Sequence, residues 1–372
     1  MIIYLLRKEK SILNHIELQF RHCPEGYLKY LPAVRPPKPG ELFSSWLVRT
    51  AHQHGLKIHS FTKILWPEVE FWNRDIDFNP NFSVLKSLSE ITCASIEQIL
   101  ETTLRSYQDI LYQAKTNSTS CAHWILPMSK YHRFIHNKAI LFCPECLSKD
   151  REDPFFRKTW RLAFSTCCPE CNIQLLDQCP ECGKPIMFFR NELGKKTSQS
   201  DRPISFCYNC GFNLTTSERI VASAQELSIQ QRLYSIMKEG YCSNVIYPIL
   251  FFDVLHFLVK LLAGNLTLSQ NIRDVITEKT YCNLIDFSFE RRIRFEALPL
   301  HVRRLVITMA FWLLDDWPHR FISVFTSRIK HGSELLRDLK NPPYWYKKVV
   351  ADHFYQLTAS QRSKCEIGHI DL

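Results

Sequence analysis

Apolar residues recur every three or four positions in several stretches that proline or glycine cuts short. This pattern predicts short helices with abrupt ends. In ELFSSWLVRTAHQHG, Leu42, Trp46 or Leu47, and Thr50 or Ala51 share a helical face, and Gly55 ends the helix. A shorter helix is predicted from about Ser60 to Leu65, stopped by Pro67. NFSVLKSLSEITCASIEQILETTL reads as two helices with a tight break. Ser95, with Gln98 three residues on, is a capping-box start, and Ile96, Ile99, Leu100, Thr103 and Leu104 form one stripe. The run from Val245 to Ala263 carries Pro248, Asp253, His256 and Lys260, so it reads as a buried helix beginning after Pro248 and not as a membrane span. Further on, Leu305, Val306, Met309 and Leu313 stripe a helix that Pro318 ends, and HRFISVFTSRIK predicts another up to Gly332.

With 372 residues and only 10 glycines, the chain suits two or three mainly helical domains better than a glycine-punctuated parallel sheet. Its start lacks the apolar core and cleavage site of a secretory signal, so a cytoplasmic protein is expected. The net charge of +10 favours a polyanionic partner. Residues 290–348 hold 12 Lys/Arg against 6 Asp/Glu. Within them Arg291, Arg292, Arg294, Arg303 and Arg304, with Lys347 and Lys348 beside the aromatic run PPYWY, are candidates for nucleic-acid or partner contact. A solvated face above a helical core explains the same residues equally well. The helix pair around Ser95 is compatible with a helix-turn-helix, or with a hairpin that merely packs. Glu97 and Glu101 make its second helix a poor match for phosphate, which favours packing or protein contact.

The cysteines change the picture most. Eight of fifteen form four C-x-x-C pairs, Cys143/Cys146, Cys168/Cys171, Cys179/Cys182 and Cys207/Cys210, in the contexts CPECL, CPECN, CPECG and CYNCG. A two-residue spacer curls the chain into a knuckle with both thiolates on one side, and two knuckles complete the S₄ shell of a closed structural zinc site. Gly183 and Gly211 stand where the knuckle's turn needs positive φ. Twenty-one residues separate the first two pairs and 24 the last two, against seven between the middle ones. That spacing assigns one site to Cys143, Cys146, Cys168 and Cys171, and another to Cys179, Cys182, Cys207 and Cys210. An interleaved pairing stays open, as do Cys167 in place of Cys168, His132 or His136 as ligands, and iron in place of zinc. Cys23, Cys93, Cys121, Cys242, Cys282 and Cys365 are isolated and read as small core or surface residues. Four thiolates leave a metal no open position, and no HExxH, carboxylate triad or GxxxxGK[ST] occurs, so no enzyme is expected.

Glu41-Leu-Phe-Ser-Ser-Trp-Leu-Val-Arg49-Thr-Ala51 resembles the E-S-x-x-S-W-x-x-R-x-A opening of TniQ/TnsD proteins. CPECL at 143–147, Phe156, the Trp160-Arg161 pair, the knuckle ending at Cys171 and Leu175 resemble that family's second block, with Cys171 where the family usually has histidine. The resemblance covers about residues 31–215. It implies a fold that is mainly α with small β zinc ribbons: an N-terminal helix-turn-helix domain (1–138), tandem four-cysteine zinc ribbons (139–220) and a C-terminal helical, winged-helix-like domain (221–372). It implies a non-catalytic target-selection protein of a bacterial transposon with two structural Zn(2+). Such a protein links a CRISPR effector complex with guide RNA (Cascade) to an AAA+ regulator of the TnsC type. The alternative is direct, sequence-specific binding of attachment-site DNA. A homodimer is compatible with either, and no membrane is involved.

Overall fold

The structure, a computed structural model, describes residues 30–354 apart from 33, 114–121, 129, 132–133, 136, 192, 195–201, 240–246, 265–266, 281–293, 327 and 330. Twelve α-helices and four two-residue strands make it mainly helical among the described residues. By its contacts the chain divides into two compact units, one of residues 1–106, 128–161 and 176–219, the other of residues 107–127, 162–175 and 220–372. No single described helix is long and apolar enough to cross a membrane.

In the first unit, α1 (Phe43–Gln53) buries every residue from Phe43 to Ala51, polar ones included. Gly55, at φ +68°, closes its end as expected. Next, α2 (Ile58–Leu65) begins two residues earlier than the pattern suggested. The pair around Ser95 is α3 (Phe82–Ile91) and α4 (Ile96–Thr102). Asn81 caps α3, and the capping box of Ser95 and Gln98 starts α4. Thr103 and Leu104 lie past the end of α4, with Leu104 opening a 3₁₀ turn. A hairpin of β1 (Lys130–Tyr131) and β2 (Phe134–Ile135) and the short α5 (Pro144–Lys149) complete the regular elements of this unit.

Several of its buried polar groups are paired. The Arg49 guanidinium, 4% exposed, meets Glu41 at 2.5 Å and both carboxylate oxygens of Asp153 at 2.8 and 2.7 Å. Ser45 donates to Glu41 and accepts from the Phe156 N–H. Beside this network Arg161, wholly buried, bridges Asp75 and Asp77, and Asp77 accepts from the Ser44 N–H and hydroxyl. The fork of a guanidinium matches two carboxylates and fixes α1 against the 150–161 segment. Burial raises the Glu41 carboxyl above the ordinary carboxylate range and Asp77 to about 6, while Arg49 and Arg161 pull the other way. Burial also opposes ionisation of Asp153, but Arg49 and Lys38 hold it well below that range.

The second unit opens on β3 (Cys167–Cys168) and β4 (Ile173–Gln174), a two-stranded antiparallel ribbon. Against β3 packs α6 (Ala224–Glu239). The helix after Pro248 is α7 (Pro248–Leu262), with the proline in its first turn as expected. It packs on α8 (Thr267–Thr280) and on α9 (Leu300–Asp315). Beyond α9, α10 (His319–Phe325) stops well before Gly332, where α11 (Ser333–Leu336) begins. The PPYWY run opens α12 (Tyr344–Phe354), whose buried Tyr346 donates to the Leu335 carbonyl and packs among Trp317 and Phe321.

Trp124 anchors this unit. It is fully buried at φ +68°, a conformation that costs a bulky residue energy, and its ring meets Phe164, Phe252, His256 and Phe295. Its N–H donates to Glu296, which also meets His256 at 2.8 Å, and its indole N–H donates to the Phe252 carbonyl. Although burial opposes it, the His256 and Trp124 hydrogen bonds bring the Glu296 carboxyl down to about 2. A depressed carboxyl stabilises the fold above its unfolded value near 4.5, and that contribution disappears as pH falls toward 2. We expect Glu296→Gln to lower stability at pH 7 by about 2 kcal/mol. In parallel urea titrations the gap between variant and wild type should close as pH falls from 4.5 toward 2; a gap independent of pH would contradict this assignment.

Candidate metal centres

Three of the four knuckles are one structure repeated. In each, the residue after the second cysteine has positive φ: Asn172 at +59°, Gly183 at +66° and Gly211 at +78°. In each, that residue's N–H donates to the carbonyl of the first cysteine, at 2.8, 2.9 and 3.0 Å. A bridge then joins the residue before the first cysteine to the third residue after the second: Cys167 to Gln174, Gln178 to Pro185, Phe206 to Asn213. Glycine reaches the left-handed region freely, and asparagine is among the residues that tolerate it. The asparagine of CPECN therefore does what the glycines of CPECG and CYNCG do, a role the sequence reading assigned only to the glycines.

The remaining knuckle is built differently. Cys143 caps α5, Pro144 occupies the first turn, and the Cys146 N–H points at Cys143 Sγ at 3.4 Å. The same pattern of N–H groups aimed at sulfur recurs at Cys179 from Glu181 and Cys182, and at Cys207 from Asn209 and Cys210. Such donors stabilise thiolate, the form that binds metal.

The structure brings the cysteines together in two groups, Cys143, Cys146, Cys168, Cys171 and Cys179, Cys182, Cys207, Cys210. Within each group all four sulfurs lie within 4.8 Å of one another. This is the sequential pairing, not the interleaved one. In the second group Cys179 and Cys210 stand 3.6 Å apart and Cys182 and Cys207 3.7 Å. A disulfide would need about 2.05 Å, whereas a tetrahedron of sulfurs about 2.3 Å from zinc has edges of about 3.8 Å. The donor set fits one metal ion in each group. Without metal, burial pushes the Cys179 thiol up to about 12, while Cys182, against the effect of burial, falls to about 7 under the Lys184 N–H and the neighbouring sulfurs.

Strand alternation decides between Cys167 and Cys168. Neighbouring residues of β3 face opposite ways, and Cys167 turns its thiol to the Glu226 carbonyl while Cys168 joins the quartet. Cys93 is exposed. His132, His136, Cys23, Cys121, Cys242, Cys282 and Cys365 lie outside the described residues.

The basic candidates scatter. Arg303 is a correction: it is 1% exposed, and its guanidinium donates to the Leu298 and Ala163 carbonyls, so no phosphate reaches it. Its position on the buried face of α9 was visible only once the helix had packed. Arg304, 20% exposed, faces Glu226 at 3.2 Å. Arg294 is half-exposed near Glu296, and Lys347 and Lys348 are exposed on α12. Arg291 and Arg292 lie outside the described residues.

The family model described as TniQ matches residues 32–175. The match takes in α1 with its buried ion network and all four cysteines of the first group; it ends before the second group, short of the residue 215 that the resemblance suggested. No curated protein matches the chain.

Two outcomes follow from this placement. Since the metal holds each quartet through its folding free energy, about 10–16 kcal/mol for small zinc modules, Cys143→Ser or Cys182→Ser should each abolish one metal equivalent and the folding of the segment around it. Elemental analysis should give two metals per wild-type chain and one or none in the variants; fewer than two in wild type would contradict the assignment. Charge reversal at Arg303 should lower stability by about 3–5 kcal/mol, the cost of breaking a buried charge arrangement. Reversal at Lys347 and Lys348 should leave the melting temperature unchanged, and an equal fall for both would show α12 to be structural.

Proposed function

We propose that the chain, whose residues 32–175 match the TniQ model of transposition-associated target-selection proteins, is a non-catalytic adaptor. On target DNA it links a guide-RNA effector complex of the Cascade type to an AAA+ transposition regulator of the TnsC type. The match over residues 32–175 carries the reading. Each metal group is a closed structural site for zinc, since four thiolates saturate a tetrahedral ion and leave no position for substrate. The adaptor works in the cytoplasm at the nucleoid. Its parts are an N-terminal helix-turn-helix domain around α3 and α4, the tandem ribbons of 139–220 and a winged-helix-like C-terminal domain from 221.

The surface of α4 supports a protein partner. Glu97 is exposed on it, and its carboxylate repels a phosphate backbone, whereas Glu101, also exposed, pairs with Lys158. The C-terminal basic excess is also smaller in effect than in count. Arg303 is buried, Arg304 faces Glu226, and Arg320 faces Asp315. A second reading, direct recognition of attachment-site DNA, draws on Lys347 and Lys348, which stand exposed beside the half-exposed Tyr344.

A salt titration separates the two. Random duplex alone should bind at micromolar affinity or weaker, with the chain retained on target DNA only alongside a guide-RNA effector, and the AAA+ regulator retained only when the chain is present. Tight binding to duplex alone, with a steep loss of affinity in log salt, would instead mark a direct reader, because each neutralised phosphate releases counterion.

A further inference from the structure

In the first unit the buried or half-buried Arg49, Arg157 and Arg161 each meet a carboxylate. Arg202 does not. Among the described residues it has no hydrogen bond and no ion pair, yet it is half-buried against Gly211. Its guanidinium lies flat over Gly211, with Nη1, Nη2 and Cζ all 3.5–3.6 Å from where a Cβ on that glycine would stand. Gly211 closes the fourth knuckle, next to Cys210, the most exposed ligand of the second group. The next residue fixes the approach, since the Pro203 carbonyl accepts from both the Asn191 side chain and the Phe206 N–H.

A guanidinium beside a thiolate cluster offsets the cluster's charge. Four thiolates around a divalent ion leave a net charge of about −2, and no described carboxylate of the unit is paired with Arg202. We propose that Arg202 is the counter-charge of the second metal site, lying over its last knuckle and slowing loss of the metal. Gly211 then serves twice: it adopts the left-handed turn, and its bare face admits the guanidinium. The inference rests on the reading of the quartets as metal sites.

The test is release of zinc from the full chain to a chromophoric chelator, followed by absorbance, with the two metals resolved as two phases. Groups just outside the ligand shell tune metal affinity by about 10–100-fold. In Arg202→Gln one phase should therefore quicken about 10-fold and the other stay as in wild type. Arg202→Lys should release near the wild-type rate, and the gap between Gln and wild type should narrow at high salt, since the group is half-exposed. Equal release from Gln and wild type, or Lys behaving as Gln, would overturn the counter-charge. If Arg202→Gln does not fold, the wild-type chain decides: its second-site release must quicken with salt, and salt-independent release overturns the proposal. A wild-type chain that holds fewer than two zinc ions overturns the metal reading itself, an outcome distinct from the others.

Discussion

A guanidinium with no exposed surface has to find its carboxylates before the fold around it can close. Arg161 has none exposed and Arg49 almost none. Leaving either unpaired would cost about 3–5 kcal/mol, a large part of the stability of a single domain. Their partners come from distant stretches: Glu41, Asp75 and Asp77 precede α4 in the chain, and Asp153 follows it. The requirement therefore acts as a register. It accepts α1 in one position against the 150–161 segment and rejects others, which apolar packing alone would tolerate. The Glu41, Ser45, Trp46 and Arg49 positions of the family block are accounted for here without any ligand. Glu41, Ser45 and Arg49 belong to one buried network, and the Trp46 indole donates to the Arg35 carbonyl beside it.

The knuckles solve a different problem. A two-residue spacer, a left-handed residue and one bridge make a turn that needs almost no support from elsewhere. Three such turns and one capped helix supply eight thiolates, and the regular strands among the described residues are only two residues long. Ribbons this small bury too little apolar surface to stand alone. Metal ligation would supply the missing free energy, and the N–H groups aimed at sulfur prepare the thiolates for it.

What could be read from the chain follows from this contrast. Cysteine pairing was largely legible because ligation geometry is local: spacing favoured the two quartets that the structure assembles. Helices with strong ends were legible too, from Ser95 with Gln98, Gly55 and Pro248. Cys168, the ligand the spacing assigned, does join the quartet, although the ribbon that turns Cys167 away is only two residues long. What was lost depended on tertiary surroundings. The Tyr344–Phe354 helix was hidden because PPYWY reads as an aromatic patch until Tyr346 is seen to be its buried anchor. The ion networks were missed because an arginine in an apolar stripe looks like a solvated one. The helix-turn-helix and winged-helix expectations concern arrangements finer than the order of helices, and rest on the resemblance.

Arg303 shows why charge counts mislead about function in this chain. A formal excess of +10 suggests a polyanion-binding surface, but formal charge does not distinguish a lysine on α12 from an arginine sealed under α9. Each arginine committed to a carbonyl, a carboxylate or the field of a thiolate quartet is withdrawn from the surface potential that would steer DNA toward the protein. Among the described candidates, Lys347 and Lys348 remain exposed, and Arg294 is half-exposed beside Glu296. Contacts from these three residues alone would give a weak, strongly salt-dependent hold on duplex. With such a hold another component would have to read the sequence, and for that reason, more than for the charge total, we propose the adaptor before the direct reader.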